Sequence, residues 1–525
     1  MDCIVVGSGP AGVASAAALL KRGRRVLMLD GGLRLEADRA RFATALARLS
    51  PDEWSAEQRQ TLTAGTQAQG KEVPQKLLFG SDFPYRGGDA ENGVSVNDTG
   101  LQASLAVGGL STVWGAAMLP YADHDLDGWP LRLAQLAPHY KSVLDRIPLS
   151  AIDDDLSEML PILARSPVSL RPSRQAALMR ESLSRNRSAL RARGIVFGQA
   201  RVGIRAAPDK AGAGCVYCGM CMQGCPYGYI YSAEHAHAGL RSNPGFSYRT
   251  DTVVGSVEEQ GSRAVVRGHD RRTRQPFEIG ADRVLLAAGV IPTTGILLRS
   301  LDAYDRVAIA QDSQHFMLPL VLLGNAGNVR EEQLHALSQL FIEILDARIS
   351  PYTIHLQIYT YSNVLANAVR GMLGPLASPL DFLARRAEAR LLVVQGYLHS
   401  ADSGKIAMAL RGPPASDRLE LTSLPGARTT AVLRRVMGKL VRNSMRLGAV
   451  PLPMLLKTSP IGRGFHTGGT FPMRERPEGL ETDLLGRPAG FERVSAVDAT
   501  VLPSIPATTI TLTVMANAYR IASEL

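Results

Sequence analysis

MDCIVVGSGPAGVASAAALLKRGRRVLMLDGG, Met1 to Gly32, is the stretch from which the rest of the chain can be read. Cys3–Val6 is an apolar run of strand type, and Gly7-Ser8-Gly9-Pro10-Ala11-Gly12 follows it directly. A small-residue helix then runs to about Lys21, and a second apolar run, 26–29, ends on Asp30. Strand, glycine turn, helix, strand and acid form the dinucleotide fingerprint in the context that gives it meaning. Gly7 permits the turn, Gly9 lets backbone approach a pyrophosphate, and Gly12 lets helix and strand pack closely. Pro10 and Ala11 open the helix, whose free N–H groups and positive dipole suit phosphate. Asp30 is placed to accept hydrogen bonds from a ribose. The plain alternative is a glycine-rich turn in an unliganded α/β sheet; the two strands and the acid together count against it.

A chain of 525 residues is long enough for two domains. It contains no run of 18 or more apolar residues, so no membrane span is expected. The first strand starts by residue 3, which leaves no room for a signal peptide and points to a cytoplasmic protein if Met1 is the natural start. The net charge of +10 admits an anionic membrane, a nucleic acid or a phosphorylated substrate. No nucleic-acid motif accompanies it, so no nucleic-acid partner is expected. Four of the five cysteines, Cys215, Cys218, Cys221 and Cys225, are closely spaced, which is a ligand pattern rather than a disulfide framework.

Further along, 86–118 is rich in Gly, Asn and Ser and carries Val107-Gly108-Gly109-Leu110-Ser111-Thr112-Val113-Trp114-Gly115. Paired glycines let main chain run against a flat ligand. Residues 121–195 read as helical. From about 246 to 286 a β-meander is expected, with turns at 255–258 and 271–275, ending in Val284-Leu285-Leu286-Ala287-Ala288-Gly289. Such a strand-to-glycine end occurs where a sheet returns beside a nucleotide. Strands are expected at 320–323, 354–361 and 391–398. Leu433, Val436, Met437, Leu440 and Val441 recur at helix spacing among Arg434, Arg435, Lys439 and Arg442. This reads as a core-facing helix with solvated charges, or as a basic helix on a membrane surface. Residues 365–390, around Gly374-Pro375, read as a lid or a lipid-facing patch. The tail carries Gly464-Phe465-His466-Thr467-Gly468-Gly469-Thr470, a strand at 494–499 with Asp498 near its end, a turn at 503–509 and a final helix from 510 to 522.

Taken in order, these motifs resemble the glucose–methanol–choline (GMC) family of FAD-dependent oxidoreductases. GGLSTVWG is followed by Gly128-Trp129-Pro130-Leu131 and Leu136-Ala137-Pro138-His139-Tyr140, an order most similar to the sugar-oxidising branch of pyranose oxidases, glycoside 3-oxidases and FAD sugar dehydrogenases. The tail VDATVLPSIPATTITLTVMANAYRIA resembles the family's last strand and helix. The resemblance implies an α/β fold: a Rossmann-like FAD-binding domain in pieces, with a discontinuous α+β substrate-binding domain over the flavin. The expected pieces are 1–120, 196–305 and 456–525 for FAD, and 121–195 and 306–455 for substrate. Gly7, Gly9, Pro10, Ala11, Gly12 and Asp30 would hold the ADP half. Gly108, Gly109, Ser111 and Thr112 would line the flavin, Gly289 would meet the nucleotide, and Asp498 would approach the ribityl chain or the flavin edge. Some sugar oxidases attach FAD through a His just after the Ser-Thr pair; Val113 stands there, so FAD is expected to be non-covalent. The family's catalytic His matches His466. Its usual second partner, Asn or His, falls on Thr509.

Oxidising an alcohol requires removal of a hydroxyl proton and a carbon-bound hydride. A neutral imidazole suits the first task, and flavin N5 takes the second. His466 is therefore the expected base, and Thr509 either orients the alcohol or caps the final helix. The run Cys215-x2-Cys218-x2-Cys221-x3-Cys225-Pro226 has bacterial ferredoxin spacing. With no second cysteine set it admits one cluster at most, three-iron or four-iron. Plain thiols and zinc remain alternatives. The resulting expectation is an FAD enzyme oxidising a sugar, glycoside or other polyol, with a cluster or an acceptor protein taking electrons. The alternatives are a peroxide-forming oxidase of a sterol-like or long-chain alcohol, a redox-neutral flavoprotein and a non-catalytic flavin-binding subunit.

Overall fold

The computed structural model describes residues 1–63, 75–206, 214–374, 378–414 and 416–525. Pro375 of the expected lid lies outside them.

A five-stranded parallel sheet holds the fingerprint. Its order is Val494–Ala496, Arg283–Leu286, Cys3–Val6, Val26–Leu29, Phe246–Arg249. Cys3–Val6 is apolar throughout because a central parallel strand is covered on both faces. The helix Pro10–Lys21 starts with Pro at its first turn, and every residue from Ala11 to Leu19 is buried. Its small side chains allow close packing against the last helix, Thr511–Glu524, itself buried from Leu512 to Ala522. Ser15 Oγ donates to Ala11 O at 2.9 Å and lies 3.5 Å from Ala518 O. The two ends of the chain thus share one core.

Strands Thr252–Gln260, Arg263–Asp270 and Pro276–Ala281 form the meander. The turn expected at 255–258 is not there. A register shift between Val254 and Ser256 absorbs the irregularity as a bulge, and the strand continues to Gln260. The helical reading of 121–195 holds for Leu133–Leu144, Arg174–Arg185 and Arg187–Arg191, with irregular chain between them.

A second, antiparallel sheet runs Ala449–Pro451, His315–Leu322, Leu391–Tyr397, Ile354–Tyr359, Leu340–Ile344, Ile195–Gln199. Lys457–Thr458 adds to its His315–Leu322 strand. One face is apolar: Phe316, Leu318, Ile342, Leu356 and Val394 are buried with Met179, Val436 and Leu440 from the Arg174–Arg185 and Thr429–Arg442 helices. The Thr429–Arg442 helix therefore faces the core, although Val441, expected on that face, is 47% exposed. The other face of the sheet is polar. One cross-strand row reads His315, Tyr397, His355, Glu343, and the next reads Met317, Gln395, Gln357, Phe341. A further sheet joins Thr467–Gly468, Val307–Asp312, Lys405–Arg411, Arg418–Leu424 and Val94–Val96. It carries the His466 loop at its edge. Among the described residues no helix is long and apolar enough to cross a membrane.

Candidate active site

The glycines at the carboxyl end of the parallel sheet divide into two kinds. At Gly7 a Cβ would come 2.4 Å from Ala287 O, and at Gly12 it would come 1.9 Å from Gly7 O. These two serve packing. At Gly9 and Gly289 a Cβ would meet nothing within 4 Å, and at Gly109 only Gly9 Cα at 3.5 Å. Gly9 and Gly109 thus lie side by side, and no side chain fills the space over Gly9. The helices that begin at Pro10 and Val290 have no side-chain cap at Gly9 or Gly289, so their first N–H groups are available. This is a cradle of the kind a dinucleotide phosphate needs, and the residues fit FAD.

The expected ligand side chains mostly brace this cradle. Asp30 accepts from Ser8 N (2.8 Å), Gly32 N (2.8 Å) and Tyr248 OH (3.2 Å). Gly108 N donates to Ser8 Oγ at 2.9 Å, which ties the two glycine loops together. Ser111 Oγ donates to Gly108 O and accepts from Ala233 N, while Thr112 Oγ1 donates to Gly109 O. Asp498 accepts from Gly289 N, Thr293 Oγ1, Thr500 N and Thr500 Oγ1. Its carboxylate is thereby committed to holding the Gly289 turn.

His466 reaches the same region through backbone. Gly469 N donates to Ala499 O at 2.9 Å, next to Asp498. Asp312 clamps the loop on both sides of the imidazole: Oδ2 accepts from Gly462 N (3.1 Å) and Oδ1 from Thr467 Oγ1 (2.8 Å). Ser313 N adds a bond to His466 O at 2.9 Å. Burial pushes Asp312 up to about 6. The His466 ring stacks on Tyr397 at 4.5 Å between centroids. Tyr397 also packs against His315 at 5.0 Å and His355 at 6.3 Å. His355 Nδ1 is paired with Glu343 Oε1 at 2.7 Å, both side chains fully buried. Burial, with the His355 and His315 imidazoles beside it, pulls His466 down to about 3, so it is neutral at ordinary pH. Its Nδ1 is buried without a partner among the described residues, as are the hydroxyls of Thr508 and Thr509. Thr509 stands just before the final helix, whose N-cap is Ile510, so it does not cap that helix.

The sequence reading missed Asp312, His315, His355 and Tyr397. Period-two alternation in His315–Leu322 and Ile354–Tyr359 was the available signal, since their odd-numbered residues share the polar face. The cysteine reading needs correction. Among the described residues no three His, Cys, Asp or Glu side chains are placed to hold a metal ion. The four thiols stay near one another, since Cys215, Cys218 and Cys225 all add to the effect of burial in pushing Cys221 up, but they do not meet as the expected ligand set. Cys215, Cys221 and Cys225 pack with the cluster around Leu334 and Phe341, and Cys218 packs with the one around Trp54 and Phe79. Burial pushes the Cys215 thiol up to about 11 and Cys218 up to about 12, so both stay protonated.

The fold has solved counterparts. Pyridoxine 4-oxidase from Mesorbium loti superposes with a TM-score of 0.61 at 16% identity, over 100% of this chain and 98% of that one. The 6'''-hydroxyparomomycin C oxidase of Streptomyces lividus is 26% identical over 330 residues, 59% of this chain and 52% of the relative. The chain thus spans about half the length of the curated relative it matches. The sequence model of the GMC oxidoreductase family matches residues 1–301, from the fingerprint strand through the helix after Gly289. With the glycine cradle and that match covering more than half its length, the chain belongs to the GMC oxidoreductase family.

Proposed function

We propose that the protein is an FAD-dependent oxidoreductase that converts a hydroxyl of a polar, polyhydroxylated small molecule to a carbonyl, with His466 as proton acceptor. The observation that carries this reading is the neutral imidazole, clamped by Asp312 and Ser313, on a loop bonded to the segment that braces the Gly289 turn. Gly9, Gly109 and Gly289 would hold FAD non-covalently; when bound, it supplies the hydride acceptor.

His466 Nδ1 is sealed from solvent, which leaves Nε2 as the nitrogen an alcohol can meet. Nε2 takes the hydroxyl proton. Burial disfavours the imidazolium, so Nε2 does not keep the proton, which ends, with the hydride, as the two hydrogens of the hydrogen peroxide formed from oxygen. Thr509, with its unpartnered hydroxyl, is a donor for the substrate oxygen where the family usually has Asn or His. The polar sheet face with Gln357, Gln395 and Tyr397 favours a glycoside or other polyol over a sterol-like or long-chain alcohol. A relative named for oxidising 6'''-hydroxyparomomycin C supports the same substrate class.

Both named relatives are oxidases. Oxygen is therefore the acceptor in this reading: alcohol and oxygen become carbonyl compound and hydrogen peroxide. A panel of glycosides and polyols assayed in air tests it. One peroxide per carbonyl is expected. Turnover only with an artificial acceptor would replace oxygen with a protein or quinone acceptor, and no turnover of any alcohol would favour a non-catalytic flavoprotein.

A further inference from the structure

The face of the Thr429–Arg442 helix that does not enter the core lines an open groove of about 1170 Å³. Arg434, Arg435 and Arg442 come from the helix, Arg446 from the short helix after it, and Arg193 and Arg348 from the facing chain. Lys439 lies on the floor. Asp346 is the one acid on this lining, and it is already engaged by Arg348 (2.9 Å) and Lys439 (2.6 Å). Gly438 sits in the middle of the groove, where a Cβ would come 3.1 Å from Arg442 Nη1. The missing side chain leaves room for Arg442 to lie across the groove.

Two exposed apolar side chains stand on these helices. Val441 lies two turns from Arg434 on the same helical stripe and is 47% exposed. Met445, beside Arg446 in sequence, is 75% exposed and lines a neighbouring groove with Leu322, Leu323 and Arg185. Single exposed apolar residues are ordinary. Guanidiniums that can grip phosphates, set beside apolar tips that can enter acyl chains, are the combination of an interfacial helix. We propose that this arginine groove, with the exposed Val441 and Met445 on its helices, forms a docking surface for a membrane rich in anionic lipid. The proposal is independent of the active-site reading.

The test is co-sedimentation of the full chain with vesicles of phosphatidylcholine alone or with 30% phosphatidylglycerol. Binding to the anionic vesicles is expected, weakening as salt rises. Arg434→Gln/Arg435→Gln/Arg442→Gln should lower partitioning on the order of 100-fold, since each cation near such a surface adds roughly fivefold. Val441→Gln/Met445→Gln should also weaken it. A control with equal charge loss elsewhere, Arg263→Gln/Arg272→Gln/Arg274→Gln, should bind like wild type. Failure to bind anionic vesicles at low salt, or equal loss in the control, overturns the proposal. If the apolar pair has no effect while inorganic tripolyphosphate displaces the chain, the groove is a soluble-anion site and the membrane assignment fails. All substituted side chains are on the surface, so an unchanged melting temperature separates lost docking from lost fold.

Discussion

Gly9→Ala separates the cradle from the fold. Gly9 has φ −63° and ψ −178°, a conformation any residue adopts, and a Cβ there meets no atom within 4 Å. Replacing Gly by Ala at a compatible site stabilises by about 0.4–1 kcal/mol through the unfolded chain. Ala as helix N-cap loses roughly 1 kcal/mol relative to the preferred caps. These effects nearly cancel, so the melting temperature of flavin-free protein should move by less than about 4 °C. The methyl would occupy the space in which backbone meets phosphate. Losing one or two hydrogen bonds to a charged group, at about 1.5–3 kcal/mol each, should weaken FAD binding by roughly 10- to 10⁴-fold. Gly12→Ala is the contrast: its Cβ would come 1.9 Å from Gly7 O and should damage the fold itself. The assay is a fluorescence titration of deflavinated protein with FAD, alongside thermal unfolding. Wild-type affinity in Gly9→Ala would refute the assignment of the cradle, and so would a large loss of stability.

Other perturbations reach other parts of the account. Asp312→Asn can keep both clamp bonds, its Oδ1 accepting from Gly462 N and its Nδ2 donating to Thr467 Oγ1, and removes only the charge. Asp312→Ala removes the acceptor of both and loosens the His466 clamp on each side. In the Ala variant alcohol oxidation should slow about tenfold or more while FAD content is retained; an unchanged rate would remove Asp312 from the mechanism. Because Asp312 is held at about 6, it is protonated below that pH and charged above it. Wild-type turnover should therefore fall below about pH 6, and the Asn variant should lose that inflection. Stability should also depend on pH. Burial lowers His315 and His335 to about 4 and His399 to about 3. Between pH 6.5 and about 4 the unfolded chain binds protons that the folded chain refuses, so stability is full above 6.5 and falls as pH drops. Each such histidine adds a slope of up to about 1.4 kcal/mol per pH unit, while Asp312, raised in the fold, opposes one of them. A melting temperature that is flat or rising from pH 6.5 to 4.5 would contradict this.

Local signals carried the nucleotide half of the site. Gly7, Gly9 and Gly12 are adjacent in sequence, and turn, helix and strand follow within one βαβ unit, so their roles needed no distant information. His466 was legible only through its resemblance to a family motif. What holds it was not legible, because Tyr397 and His355 come from paired strands of one sheet and Asp312 from a strand of another. No local pattern reports that His315 and His355 both stand opposite Tyr397. The cysteine spacing misled for the converse reason. Ligand spacing is local, but metal-ligand geometry is not: the four thiols stay near one another, each of the other three adding to burial in pushing Cys221 up, without meeting as a metal-holding group among the described residues. Asp30 and Asp498 also accept from the backbone N–H groups of Ser8, Gly32, Gly289 and Thr500, which tight turns would otherwise leave unpaired and which no local pattern announces.

The central claim is that His466 takes the alcohol proton at a bound flavin. Anaerobic mixing of wild type and His466→Ala with an alcohol that the wild type oxidises, followed at the visible flavin bands, tests it most directly. Bleaching of wild type, with equal FAD content but bleaching at least 100-fold slower in the variant, is the predicted result. Bleaching of the variant at the wild-type rate would contradict it.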